Sequence, residues 1–247
     1  MACWTSTFFF SFSVPTRILI IAIHILANAQ ARSRIFDKFL LLSRVLALNA
    51  YFLDERYALN SLHTIQINPG EEPQELHHDD AYCNVPRPRR PFSTAIMVAL
   101  DPFTASNGAT AIIPGSHLWP SGVTPEPSQI IPAVCPQGSA VYFVGTLWHG
   151  GGRNTSTFPR QSLTVQYCQP WVRPTENMIL AVDPRKLGEI DERIVRMMGY
   201  QVGRPFIGYV DGMGVRRGVE RFVKWMRGEV DWSPRTFDRG GDGNSRL

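Results

Sequence analysis

Ser162-Leu163-Thr164-Val165-Gln166-Tyr167 alternates polar and apolar residues with a period of two. That is the pattern of a β-strand with one face on a core and the other solvated. Arg160 extends the polar register, so Arg160, Ser162, Thr164 and Gln166 share a face. Arg160 and Ser162 therefore project together into whatever cavity lies there, and the guanidinium offers a fixed cationic fork for a dicarboxylate.

Outward from this strand the chain reads as more of the same. Leu62-His63-Thr64-Ile65-Gln66-Ile67 alternates and runs into the turn residues Asn68-Pro69-Gly70. Thr94 to Leu100 is an apolar run of strand length, followed by the loop Ser106-Asn107-Gly108-Ala109. Ser139 to Val144 is a further strand, ending just before Trp148-His149-Gly150-Gly151-Gly152.

Between the first two strands lies His77-His78-Asp79-Asp80. In an extended segment residues i and i+2 point the same way, so His77 and Asp79 can grip one ion while His78 faces elsewhere. A neighbouring strand would bring up His149. Two imidazoles and one carboxylate form the facial ligand set of non-haem iron(II), with open positions opposite. A lone H-x-D is weak, and His78-Asp79-Asp80 offers a competing register. The triad together with the arginine clamp is much more specific.

These residues resemble the phytanoyl-CoA dioxygenase family of iron(II)- and 2-oxoglutarate-dependent oxygenases. The resemblance rests on Gln74-Glu75-Leu76-His77-His78-Asp79-Asp80, on Asn107-Gly108-Ala109-Thr110 running into Ile113-Pro114-Gly115-Ser116-His117, and on Trp148-His149-Gly150-Gly151-Gly152 with Arg160 downstream. Pro170-Trp171-Val172-Arg173-Pro174-Thr175-Glu176-Asn177 extends it. It implies a mainly β fold, a double-stranded β-helix (jelly-roll, cupin-like) core with flanking helices. It assigns Fe(2+) to His77, Asp79 and His149. For 2-oxoglutarate it implies Arg160, supported by Ser162, with Gln74 and Thr110 as further contacts. O2 is the oxidant and ascorbate supports turnover. The implied reaction hydroxylates or desaturates a C–H bond of a small organic molecule, of secondary-metabolite or acyl-CoA type. Asp79 at the carboxylate position favours this over halogenation, for which relatives carry a small residue.

Other classes stay in view: a cupin-like metal protein without an oxo acid, a zinc hydrolase using the same triad, and a non-catalytic or truncated relative acting as a partner subunit. The first leaves the Arg160-Ser162 pair without a role. Residues outside the triad have simpler readings. His63 is a strand residue, His117 sits on a turn at the barrel mouth, and Trp148 packs. Tyr82, Tyr142 and Phe143 line either the pocket or the core.

Composition fits one globular domain: 247 residues, 44% hydrophobic, formal charge +4. No basic run is long enough for a nucleic-acid groove. Arg87, Arg89 and Arg90 lie in a proline-rich loop, read as solvated rather than as a seat for an anionic substrate. A homodimer is compatible with such a chain. Cys3, Cys83, Cys135 and Cys168 show no pairing pattern, which points to a reducing, cytoplasmic compartment.

The ends are less regular. Residues 1–31 form an atypical apolar segment; Ile18 to Ala27 is too short to span a bilayer comfortably. Ala27-Asn28-Ala29 or Ala29-Gln30-Ala31 would fit signal cleavage, but no Lys or Arg precedes Arg17. The segment is therefore read as a buried or misassigned N-terminus, with a signal or membrane anchor, and so a secretory or membrane-associated location, as the alternative. The dioxygenase domain is expected over 32–232 and a disordered tail over 233–247. Ile35, Phe39, Leu42 and Leu46 predict one helix from Ser33 to about Phe52. A second is expected from Asp183-Pro184 to Gly199, and a short third over Val219 to Met226.

Overall fold

The computed structural model describes residues 24–26 and 29–232. Among the described residues eight strands build two sheets. They are β1 (His24–Leu26), β2 (Ala58–Ile67), β3 (Ser93–Ala99), β4 (Ala111–Ile112), β5 (Ile131–Pro132), β6 (Ala140–Val144), β7 (His149–Gly150) and β8 (Arg160–Cys168). The large sheet has the order β1-β2-β8-β3-β6 and the small one β5-β4-β7, with every pairing antiparallel. Strands adjacent in the large sheet are distant in sequence, as in the double-stranded β-helix.

The core sorts by strand parity. On β3, Ile96 and Val98 join the helix-side cluster, whereas Ala95, Met97 and Ala99 join the barrel interior with Phe103, Phe143 and Leu147. Both faces are covered, so this strand reads as a continuous apolar run. On β8, Leu163, Val165 and Tyr167 face the helices. Its polar face is turned inward: Arg160, Ser162 and Thr164 are buried. The expected solvated face is thus the lining of the barrel, and Arg160 is no surface residue.

β2 carries an irregularity. Leu59 pairs with Tyr167 and Ser61 with Gln166, so Asn60 is an extra residue, a β-bulge. Alternation restarts across it. Leu59 and Leu62 both reach the helix-side core despite their odd spacing.

The helices differ from expectation in detail. Ser33 to Phe52 is not one helix. A 3-10 turn (Arg34–Phe36) and a short helix (Asp37–Leu40) are separated from Ser43–Phe52 at Leu41 and Leu42. The break resets the buried face to Leu40, Val45 and Asn49, leaving Ile35 exposed. Asp183 caps a 3-10 helix (Pro184–Glu189), not a continuous one. Asp191 then caps Glu192–Val195, and the chain turns at Gly199, whose φ is 105°. Ile190, Ile194 and Met197 are buried together as expected. The last helix is longer than expected, Val215–Met226.

Residues 1–23 and 233–247 lie outside the described residues, and with them Cys3 and the expected tail. Of the readings of 1–31, the last part fits the buried one. His24–Leu26 pairs with Thr64–Gln66 at the sheet edge, and Ala29 is fully buried in the core. Among the described residues no helix is long and apolar enough to cross a membrane, and Cys83, Cys135 and Cys168 are free thiols.

Candidate metal and co-substrate site

An isolated antiparallel bridge joins His77 to His149. The His77 amide donates to the His149 carbonyl at 2.9 Å and the reverse bond is 2.8 Å, so backbone pairing sets the two rings side by side, centroids 4.6 Å apart. Asp79 opens a 3-10 turn immediately after. One potential ligand atom from each of His77, Asp79 and His149 lies within 4.8 Å of the others. His78 is turned out of this cluster, its ring edge-on to Trp148 at 5.1 Å.

The protonation pattern suits a cation. His77 Nδ1 lies 2.9 Å from the Glu75 carbonyl, and His149 Nδ1 lies 3.0 Å from the Leu147 carbonyl. A carbonyl only accepts, so each Nδ1 carries hydrogen, and in the neutral ring this tautomer leaves Nε2 with a lone pair. Burial holds the His149 imidazole below its ordinary range, against the pull of Asp79. Burial likewise pushes the Asp79 carboxyl up, against the attraction of the two imidazoles. A carboxylate costly to ionise beside two imidazoles with Nε2 available is a set that a divalent ion would relieve.

The triad opens on a cavity of about 160 Å³. Gln74, Thr110, Met97, Phe143, Arg160 and Gln166 are among its lining residues. Arg160 is 2% exposed and lies over the Phe103 ring at 4.4 Å. Its guanidinium donates to the Ser162 hydroxyl at 2.7 Å and to the Gly108 carbonyl, while its Nε has no partner. The nearby carboxylates are engaged elsewhere: Asp101 accepts from the Gln161 amide and Glu71 from Asn68. Burial pushes the guanidinium pKa down to about 10. A buried cation without a carboxylate partner is expensive, and an anionic ligand in the cavity would satisfy it.

The remaining expected site residues fall around this pair. Ser162 sits behind Arg160, its hydroxyl accepting from the guanidinium and donating to the Ile65 carbonyl at 3.3 Å. Gln74 is locked by the glycine run: its side-chain Oε1 accepts from the Gly151 backbone amide at 2.8 Å, and its backbone N–H donates to the Gly151 carbonyl at 2.9 Å. A Cβ on Gly151 would stand 3.1 Å from that Oε1, so a larger residue there would press on the Gln74 side chain. His63 and Phe143 also line the cavity. Tyr142 points the other way, donating to Asn49 at 3.1 Å, and Tyr82 is exposed.

Reading the sequence missed two groups. Asp80, fully buried, receives Arg89 at 3.0 Å, the Phe92 amide at 2.8 Å and the Ser93 hydroxyl. It anchors the turn that presents Asp79. The arginine-rich loop is solvated in part, with Val85, Pro86, Pro88 and Arg90 exposed, but its arginines are tied to the protein. Arg89 pairs with Asp80, Arg87 donates to the Ser116 and Thr146 carbonyls, and Arg90 binds Asp54 and the Phe52 carbonyl. The second was Gln166, which donates to Asp79 Oδ2 at 3.1 Å; its place on the polar face of β8 was the available signal.

Comparison with known proteins agrees with this geometry. The family described as phytanoyl-CoA dioxygenase matches residues 17–162, more than half of the chain. The chain belongs to the phytanoyl-CoA dioxygenase family. It is 36% identical over 155 residues to Dioxygenase ALT11 of Alternaria alternata, covering 60% of this chain and 51% of that protein. It is 42% identical over 110 residues to Dioxygenase trt7 of Aspergillus terreus, covering 42% and 38%. The chain thus spans about half the length, or less, of these relatives. In fold it is similar to the non-haem α-ketoglutarate-dependent epimerase SnoN from nogalamycin biosynthesis, with TM-score 0.51, 23% identity and coverage of 62% and 64%. EctD from S. alaskensis with bound Fe gives TM-score 0.51 at 20% identity, covering 61% and 59%.

Proposed function

We propose that this protein is an iron(II)- and 2-oxoglutarate-dependent dioxygenase that hydroxylates or desaturates a C–H bond of a small organic molecule. The observation that carries the reading is the pairing, in one cavity, of the His77-Asp79-His149 cluster with Arg160, a buried guanidinium that makes no direct ion pair with a carboxylate of the described residues. A metal protein without an oxo acid leaves that cation without a role.

His77 and His149 through Nε2, and Asp79, would hold iron(II). The iron, with 2-oxoglutarate and dioxygen, supplies the oxidative decarboxylation to succinate and CO2 that drives C–H oxidation. Arg160 fixes the distal carboxylate by charge-assisted hydrogen bonds, with Ser162 holding the guanidinium in place. Thr110 and Gln74 complete the polar wall, while Ile65, Met97 and Phe143 keep the rest of the cavity apolar and exclude water. The fungal dioxygenases among its relatives favour a secondary metabolite as substrate over an acyl-CoA.

The test is succinate formation from 2-oxoglutarate with iron(II), ascorbate and oxygen, read with and without candidate substrates. Succinate that depends on iron, and is not supported by zinc, is the expected result. No succinate from an iron-loaded protein under any substrate panel would overturn the proposal.

A further inference from the structure

We infer that Gln166 is a positioning residue that fixes which oxygen of Asp79 meets the metal, and that its orientation is imposed from outside the cavity by Asn60 and Ser61. This rests on the metal reading above.

The two oxygens of Asp79 have different surroundings. Oδ1 lies 3.6 Å from His149 Nε2, a ring nitrogen of the candidate ligand cluster. Oδ2 accepts a hydrogen bond from Gln166 Nε2 at 3.1 Å. An oxygen engaged by an amide is held away from a cation that the other oxygen binds, so the carboxylate binds through one atom and spares a coordination position.

An amide side chain can turn by half a rotation, so its orientation must be set by its partners. Gln166 Oε1 accepts from Ser61 Oγ at 3.0 Å and from Asn60 Nδ2 at 3.2 Å. Asn60 is itself oriented: its Oδ1 accepts from the Thr175 backbone amide at 2.7 Å and from the Thr175 hydroxyl at 3.1 Å. A backbone N–H can only donate. The polarity of the whole chain, Thr175 to Asn60 to Gln166 to Asp79, is therefore fixed at its outer end. The bulge at Asn60 makes this feasible, because it sets two successive β2 residues, Asn60 and Ser61, against the single residue Gln166. Asn60 and Ser61 are both buried, where a misdirected amide would leave donors facing donors.

Cobalt(II) is the probe, since its visible absorption reports the ligand set without turnover. The full chain and the variants Gln166→Leu, Asn60→Asp and Ser61→Ala are titrated with cobalt(II), and each metal-free protein is melted separately to report folding. Gln166→Leu should weaken cobalt(II) binding about 10- to 100-fold and alter the absorption band. Asn60→Asp keeps Oδ1 for Thr175 but removes the donor to Gln166, so the amide turns over. It should shift affinity and band in the same direction, with Ser61→Ala weaker. A folded Gln166→Leu or Asn60→Asp protein with the parent's affinity and band would overturn the positioning role alone. A parent protein that takes up no cobalt(II) would overturn the metal site, and this role with it.

Discussion

Asp80 and Gly145 occupy the same small volume. The Asp80 amide donates to the Gly145 carbonyl at 3.0 Å, and a Cβ on Gly145 would clash with both Asp80 Oδ1 and Ser93 Oγ. The glycine is there because the buried carboxylate needs both its Ser93 and its Arg89 contacts. Gly145→Ala should displace one of them and destabilise the fold by about 1–3 kcal/mol, by overpacking and by disturbing a buried ion pair. Since Asp80 adjoins Asp79, metal affinity should fall as well. A thermal melt and a metal titration of the variant check both effects; a parent-like melt would show that the pocket yields without cost.

His77 and His78 should separate cleanly in metal binding. His77→Ala, Asp79→Ala and His149→Ala should each abolish iron(II) uptake and turnover. His78→Ala removes only the ring packed on Trp148 and should retain most of the iron. Anaerobic iron titration reads this directly, and the opposite outcome for the two histidines would move the site to the other register.

Arg160→Ala should raise the Michaelis constant for 2-oxoglutarate roughly 10- to 100-fold, the loss of a charged hydrogen-bonding pair. Iron affinity should change little, because the guanidinium touches no residue of the triad. Arg160→Lys should recover part of the loss, since an ammonium cannot form the planar fork. Steady-state kinetics in 2-oxoglutarate decide it.

Metal stabilisation should depend on pH in a defined direction. Burial raises the Asp79 carboxyl, so in the metal-free protein the stability this group contributes is present at low pH and is lost as pH rises from the ordinary carboxylate range through its folded value. The His149 imidazole, held low, contributes with the opposite sign below the ordinary imidazole range. Metal binds only the deprotonated forms of both. The rise in Tm on adding iron(II) anaerobically should therefore be larger at pH 7 than at pH 5. Equal rises at both would mean that the ion is not held by these groups.

The strands and the two halves of the site were legible because their signals are local. Period-two alternation marks β8, and the i, i+2 rule separates His77 and Asp79 from His78. What was not legible depends on neighbours far along the chain. Leu41 and Leu42 break the first helix although its apolar spacing runs on. Arg89 reads as a solvated loop residue until Asp80 is placed beneath it. Gln166 reads as one polar position among four, and only the Asn60 bulge shows what holds it. The place of His24–Leu26 and of Ala29 is hidden for a similar reason, since a short apolar stretch carries no mark of the strand that it will lie beside.

That stretch has a protective consequence. β1 is the outermost strand of the large sheet, and beyond it β2 has β8 on its other side. Without His24–Leu26, the Thr64–Gln66 stretch of β2 presents unpaired amides and carbonyls to solvent, a template for strands of other molecules. A chain started at Arg32 would also lose Ala29 from the core. Three residues of backbone thus guard the sheet against self-association, and any shortened form should be watched first for aggregation on that edge.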